Sequence, residues 1–244
     1  MANITLRDVN VDFAIYNARN RSIRHDLIRR VGGPVGKRAQ RDHVVIHALR
    51  NINLTINPGD RLALVGHNGA GKSTMLRVLS GAYEPSSGTA EISGSVSSLI
   101  DLSMGMDYEL TGRQNVILRG VFLGLTFSEA RALVPEVDDF AELGEYLDLP
   151  MRTYSSGMLL RLAFAISTSV RPDIVLLDEL ISVGDAAFAR KAERRLADLL
   201  ATARILVLAS HSGELLRQYC NRAIHLQQGQ ITFDGPLEDA LARL

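Results

Sequence analysis

The residues Gly66-His-Asn-Gly-Ala-Gly-Lys-Ser-Thr74 directly follow the apolar run Arg61-Leu-Ala-Leu-Val65, so a strand feeds a glycine-rich turn that opens a helix. That pattern is a phosphate-binding loop. Gly66, Gly69 and Gly71 let the backbone curl around a polyphosphate, and the N–H groups of the helix start point at the anion. Lys72 adds positive charge to a loop that also contains Asn68 and Ala70. Ser73 offers a hydroxyl to a magnesium ion (Mg2+) bridging the β and γ phosphates of a nucleotide, and Thr74 offers a hydrogen bond to a phosphate oxygen.

Further residue groups follow this loop in order. Tyr154-Ser-Ser-Gly-Met158 precedes an Ala-, Leu- and Phe-rich helix, where Ser155 and the amides near Gly157 make a second anion seat; an ordinary helix cap has the same residues. Ile174-Val-Leu-Leu-Asp178-Glu179 is an apolar strand ending in two carboxylates, Asp178 aimed at the magnesium shell and Glu179 placed to polarise an attacking water. Ser182-Val-Gly-Asp185 reads by itself only as a turn and a helix cap. Ile205-Leu-Val-Leu-Ala-Ser-His211 ends a buried strand in a histidine, where the γ phosphate would lie.

The elements that must hold these groups are readable from hydrophobic period. The runs 61–65, 173–177 and 204–209 read as buried parallel strands whose C-terminal ends carry chemistry. Around 4–13 and 44–56 the alternation suits antiparallel strands with one wet face, and a further alternating run follows the turn Glu84-Pro-Ser-Ser-Gly88. From Thr111 to Leu149 the period becomes helical, through Val116, Leu118, Val121, Phe122, Ala130, Leu133 and Val137, and residues 186–202 form an amphipathic helix. The expectation is a single α/β domain over 1–244, with its core in about 1–99 and 171–244 and a helical subdomain inserted at 100–170.

A chain of 244 residues, 46% hydrophobic, can bury a sizeable core. Its 27 basic and 27 acidic residues balance, so total charge gives no reason to expect a nucleic-acid partner. The single Cys220 cannot form an internal disulfide, the N-terminus lacks a secretory apolar stretch, and no run is long enough for a membrane helix. Little chain follows Pro236, so no further folded domain is expected there.

In motif order and over essentially its whole length the chain resembles the ATP-binding cassette (ABC) family. The resemblance implies a P-loop NTPase core of ABC ATPase type with an antiparallel β subdomain and a helical subdomain. It makes Gly66–Thr74 the Walker A loop, Ile174–Asp178 the Walker B strand, Glu179 the catalytic carboxylate, Asp185 the D-loop acid and His211 the switch histidine. Tyr154–Met158 is similar to the signature sequence, with Ser156 for its first glycine and Met158 for its glutamine, while Ser155 and Gly157 are kept. At the place of the Q-loop glutamine stands Ser98-Leu-Ile-Asp101, whose Asp101 is the nearest equivalent for the ion's water shell. The implied cofactors are ATP and Mg2+, held between two copies in a homodimer, and the implied partner is a polytopic permease in the membrane.

Tyr-Ser-Ser-Gly-Met, Leu110-Thr-Gly-Arg-Gln-Asn-Val116 and Val183-Gly-Asp-Ala-Ala-Phe188 resemble the ATPases of bacterial polysaccharide exporters. Those move lipid-linked O-antigen, capsule or teichoic-acid chains from the cytoplasmic face of the inner membrane. Two other readings stand beside it: the ATPase of a drug or lipid exporter, and a soluble cassette ATPase outside transport. In Phe13-Ala-Ile-Tyr16, the resemblance makes Tyr16 the residue that stacks on adenine, with Phe13 as substitute; an aromatic at this place also reads as core packing. The insertion 17–43 holds eight Lys/Arg and two Asp, and 22–31 places Ile23, Leu27, Ile28 and Val31 on one helical side. It reads either as a solvated charged face or as a basic element near the membrane that meets a lipid pyrophosphate headgroup. On the second reading, neutralising Arg24, Arg29 and Arg30 together impairs export in a transport assay and leaves basal ATP hydrolysis near normal; unchanged export removes it.

Overall fold

The computed structural model describes residues 2–16, 35–37, 43–100, 102–178 and 186–243. In chain order the elements are β1 (Asn3–Tyr16), β2 (Val35–Lys37), β3 (His43–Ile56), β4 (Arg61–Val65), α1 (Lys72–Leu79), β5 (Ser87–Ser93) and β6 (Val96–Ser98). There follow α2 (Gly112–Phe122), α3 (Phe127–Ala132), α4 (Val134–Ala141), α5 (Ser156–Ser169), β7 (Ile174–Asp178), α6 (Ala186–Thr202), β8 (Ile205–Ala209), α7 (Gly213–Tyr219), β9 (Arg222–Gln227), β10 (Gln230–Pro236) and α8 (Leu237–Leu241). The chain divides into two compact units: one from 1–94, 176–179 and 204–244, the other from 95–175 and 180–203. The expected helical segment 100–170 lies inside the second unit, which also takes in α6.

The first unit holds two sheets. In one, β1 pairs antiparallel with β3 and β5, and β2 adds to β3. Alternation builds it: Ile4, Leu6, Val9 and Val11 of β1 and Ile46, Ile52, Leu54 and Ile56 of β3 are buried, while Arg7 and Asn53 face water. The register slips between Leu6 and Asp12, a stretch in which Asp8 and its neighbour Asn51 take positive φ of 51° and 49°. Side chains hold this bulge, since Asn53 Oδ1 accepts the Asp8 N–H at 3.0 Å and Asn10 Oδ1 the Asn51 N–H at 2.9 Å.

The other sheet of this unit has the order β10-β9-β4-β8-β7. Strand β4 runs parallel to both β8 and β9, and the β9–β10 hairpin closes the edge antiparallel. Leu62–Val65, Leu176, Leu177 and Ile205–Ala209 are buried, which explains the uninterrupted apolar runs: strands covered on both faces have no wet side to alternate toward.

In the second unit four helix starts have an identifiable cause. Thr111 and Gln114 form a reciprocal capping box on α2, Thr126 and Glu129 another on α3, a proline sits in the first turn of α4, and Ser155 caps α5. Phe140, Phe164 and Phe188 join α4, α5 and α6 in one aromatic cluster, with centroids 5.4–6.4 Å apart. Two apolar positions of α2 depart from the expected buried stripe. Val116 is buried, but Val121 and Phe122 are 45% and 70% exposed. The proposed basic helix at 22–31 lies outside the described residues.

Candidate nucleotide site

Strand β4 delivers the chain into a loop whose three motif glycines all take positive φ: Gly66 at 143°, Gly69 at 78° and Gly71 at 112°. Gly66 is held by close approach as well as by φ. A Cβ there would stand 2.2 Å from the carbonyl oxygen of Leu226 in β9, so a side chain would have to displace strand backbone. Helix α1 then begins at Lys72 with Gly71 at its N-cap and no side chain capping its amides. Such an uncapped helix start is what a phosphate completes. Lys72 Nζ bends back along the loop and donates to the carbonyls of Gly66 (2.6 Å) and His67 (3.2 Å), which fixes its ammonium over the glycine-rich turn.

The first turn of α1 reaches the end of β7, two strands away from β4. Ser73 Oγ donates to Asp178 Oδ2 at 2.6 Å, uniting a hydroxyl and a carboxylate that lie 105 residues apart in the chain. Both are hard oxygen donors, the kind a small divalent cation prefers. Among the described residues no group of three or more His, Cys, Asp or Glu could hold a metal by itself. A cation that takes one hydroxyl, one carboxylate and phosphate oxygens fits this donor set.

Strand β8 lies between β4 and β7, and because it runs parallel to β4 its end emerges on the side of the phosphate loop. His211 follows that end; it is exposed and makes no side-chain hydrogen bond among the described residues. Ser210 Oγ just before it accepts the Ser212 N–H at 3.1 Å, and Ser212 caps α7.

Support for the loop comes from a place the sequence reading passed over, the turn between β9 and β10. Gly229, at φ 76°, donates its N–H to the Ala70 carbonyl (2.9 Å) and accepts the Arg50 N–H (2.7 Å). A Cβ on it would meet the Ala48 carbonyl oxygen at 2.5 Å. The available signal was a Gln-Gly pair between two alternating strands, a hairpin turn whose packing partner is distant in sequence. In the same hairpin, burial, aided by the charges of His67 and Arg243, holds the His225 imidazole below its ordinary pKa. Burial pushes the Cys220 thiol up to about 12, so little of it is thiolate at neutral pH.

The second unit presents Tyr154–Met158. Ser155 Oγ accepts the Met158 N–H at 3.3 Å, the cap expected of it, and Gly157 meets no atom closer than 3.9 Å from its notional Cβ, so the face beside Ser155 and Ser156 is open. Tyr154 anchors the segment. Its hydroxyl donates to the Tyr146 carbonyl at 2.5 Å, and burial raises its pKa. Phe13 packs edge-on against Tyr83 at 5.6 Å, with Arg77 over the Tyr83 ring. The backbone of Tyr16 closes β1 opposite His43, and its side chain lies outside what is described. Asp101, Glu179 and Asp185 lie outside the described residues.

The sequence profile of the ABC transporter family matches residues 49–182. The O-antigen export system ATP-binding protein RfbE of Yersinia enterocolitica is 44% identical over 232 residues, 95% of this chain and 97% of that one. The chain belongs to the ABC transporter family. Other relatives in the family are longer: the chain is 40% identical to the O-antigen export system ATP-binding protein RfbB of Myxococcus xanthus, spanning 53% of it. It is 32% identical to the teichoic acids export ATP-binding protein TagH of Bacillus cereus, spanning 42% of it. Among solved structures, the ATP-binding cassette MJ0796 in a dimeric post-hydrolysis state with ADP and Pi superposes with a TM-score of 0.65. It is 21% identical and covers 96% of this chain and 98% of that one, which supports the cassette fold.

Replacing Gly229 by alanine tests the hairpin's support of the loop. Gly81, in the same unit at φ 75° with open space around it, serves as the strain-only control. Gly229→Ala is expected to cost about 1–3 kcal/mol from backbone strain alone, to exceed Gly81→Ala in thermal denaturation, and to weaken nucleotide binding where the control does not. Equal effects on binding contradict the support role.

Proposed function

We propose that this chain binds and hydrolyses ATP to power export of a lipid-linked polysaccharide across the cytoplasmic membrane, as a homodimer beneath a separate membrane subunit. The observation that carries the reading is the 2.6 Å Ser73–Asp178 hydrogen bond at the mouth of the phosphate loop. Relatives named as O-antigen and teichoic-acid export ATPases, matching along nearly the whole chain, supply the transport class.

In this reading the amides of Gly69–Thr74 and the Lys72 ammonium bind the nucleotide phosphates. Ser73 and Asp178 hold Mg2+, which when bound neutralises phosphate charge, and Asp101 contacts its water shell. Glu179, directly after the Walker B strand, takes the proton of the attacking water, and His211 at the β8 tip contacts the γ phosphate. Tyr16, or Phe13 in its stead, stacks on adenine. Ser155, Ser156 and Gly157 of a second copy close over the same triphosphate, with Asp185 lining the join. Two equivalent sites then follow from two-fold symmetry.

The membrane subunit needs an apolar landing surface, and we assign that role to exposed apolar residues of the second unit. Phe122 is 70% and Met104 56% exposed, and the loop and helix that carry them run close together, since a Cβ at Gly105 would lie 3.4 Å from the Phe122 ring. Buried Arg119 sets this loop by donating to the carbonyls of Leu102 and Met104 and to Ser167 Oγ of α5. No helix among the described residues is long and apolar enough to cross a membrane, so attachment at the cytoplasmic face is assigned to that partner.

Glu179→Gln is expected to lower ATP turnover by roughly 10²–10⁴-fold while nucleotide binding persists, whereas Lys72→Ala weakens binding itself; a native turnover rate in Glu179→Gln contradicts the base assignment. For the transport class, ATPase assays on the chain reconstituted with its membrane subunit decide. Stimulation by lipid-linked glycans is expected, and stimulation by drugs or simple lipids alone contradicts it.

A further inference from the structure

The second unit contains a cleft of about 900 Å3 walled by α4, the C-terminal end of α5 and one face of α6. Its cations divide into two sets. Lys191 is consumed by the structure, donating to the carbonyls of Asp139 and Phe140 (both 3.1 Å) and to Glu142 (2.8 Å). Arg195 is consumed too, bonded to Thr168 Oγ1 (2.9 Å) and Glu136 (2.5 Å) and lying 4.4 Å over the Phe140 ring. These contacts fix the walls.

Arg171, Arg190 and Arg194 line the same cleft and do none of that work. All three are exposed, and among the described residues none has an ion pair, a side-chain hydrogen bond or a ring contact. Arg190 and Arg194 stand one helical turn apart on α6, an arrangement in which like charges repel. Asp198, a further turn along, is the one cleft carboxylate without a basic partner among the described residues, so three uncommitted guanidiniums face a single uncommitted acid.

We propose that this cleft binds a small phosphate-bearing anion, gripped by Arg171 from the segment after α5 and by Arg190 and Arg194 from α6. Guanidinium forks bond phosphate oxygens in pairs, and a tetrahedral or linked phosphate presents oxygens toward cations arriving from two elements. The volume is that of a small-molecule site. None of the cleft residues belongs to the phosphate loop, so the two anion sites are separable by mutation.

Calorimetric titration of the full chain with inorganic pyrophosphate is the test. Wild type is expected to bind at two sites, one of them the phosphate loop. Lys72→Ala removes the loop's contribution and leaves the other, and Arg190→Gln with Arg194→Gln weakens that second site at least tenfold while ATP hydrolysis stays at the wild-type rate. Should the double variant lower the thermal midpoint, Arg171→Gln alone, an exposed residue outside any helix, must still weaken the site. Absence of pyrophosphate binding in Lys72→Ala, or binding untouched by the arginine substitutions, overturns the proposal. Tight capture of a polyglutamate peptide in place of pyrophosphate overturns it as well, because the cleft would then be a protein-docking surface.

Discussion

The hydrogen bond from Ser73 to Asp178 fixes the geometry on which the rest of the site depends. It ties the first turn of α1 to the end of β7, across a sheet in which β4 and β7 are not adjacent but are separated by β8. A short bond of this kind demands that the loop between β4 and α1 have one length and one path. The left-handed glycines supply that path, and β9 limits it from the other side through the contact of Leu226 with Gly66. Chemistry at the strand ends is therefore inherited from the sheet: buried strands of equal length, covered on both faces, bring the loop after β4 to the carboxylate that ends β7.

The second unit solves a different problem, presenting surfaces instead of gathering side chains. Ser155 caps α5 and leaves Gly157 unobstructed, so the start of this helix is an open surface. At the other end of α5, Ser167 accepts from Arg119, whose guanidinium also gathers the carbonyls of Leu102 and Met104. A buried cation surrounded by acceptors resists displacement, since each acceptor left unpaired costs on the order of 1–3 kcal/mol. That places the segment following Asp101 in rigid relation to the helix that begins at the signature-like residues.

Much of this was legible beforehand, and for a consistent reason. The strand-turn-helix at 61–79, the strands near 174–178 and 205–209 and the helix at 186–202 are local objects, set by period and by glycines whose neighbours in sequence are their neighbours in space. What escaped depends on partners far along the chain. Gly229 looks like any hairpin glycine until its contacts with Ala48 and Ala70 are known, and Arg119 reads as the wet side of a helix although it is buried. Val121 and Phe122 failed in the opposite sense: apolar residues at helical spacing imply burial only when the chain itself covers them, and here a face is left uncovered.

The central claim is that one triphosphate is held by the phosphate loop of one copy and by Ser155 and Gly157 of another. Small-angle scattering on the Glu179→Gln protein, with and without saturating ATP, measures this most directly. A single-copy particle is expected without nucleotide and a two-copy particle with it. A mass that stays at one copy under saturating ATP contradicts the account.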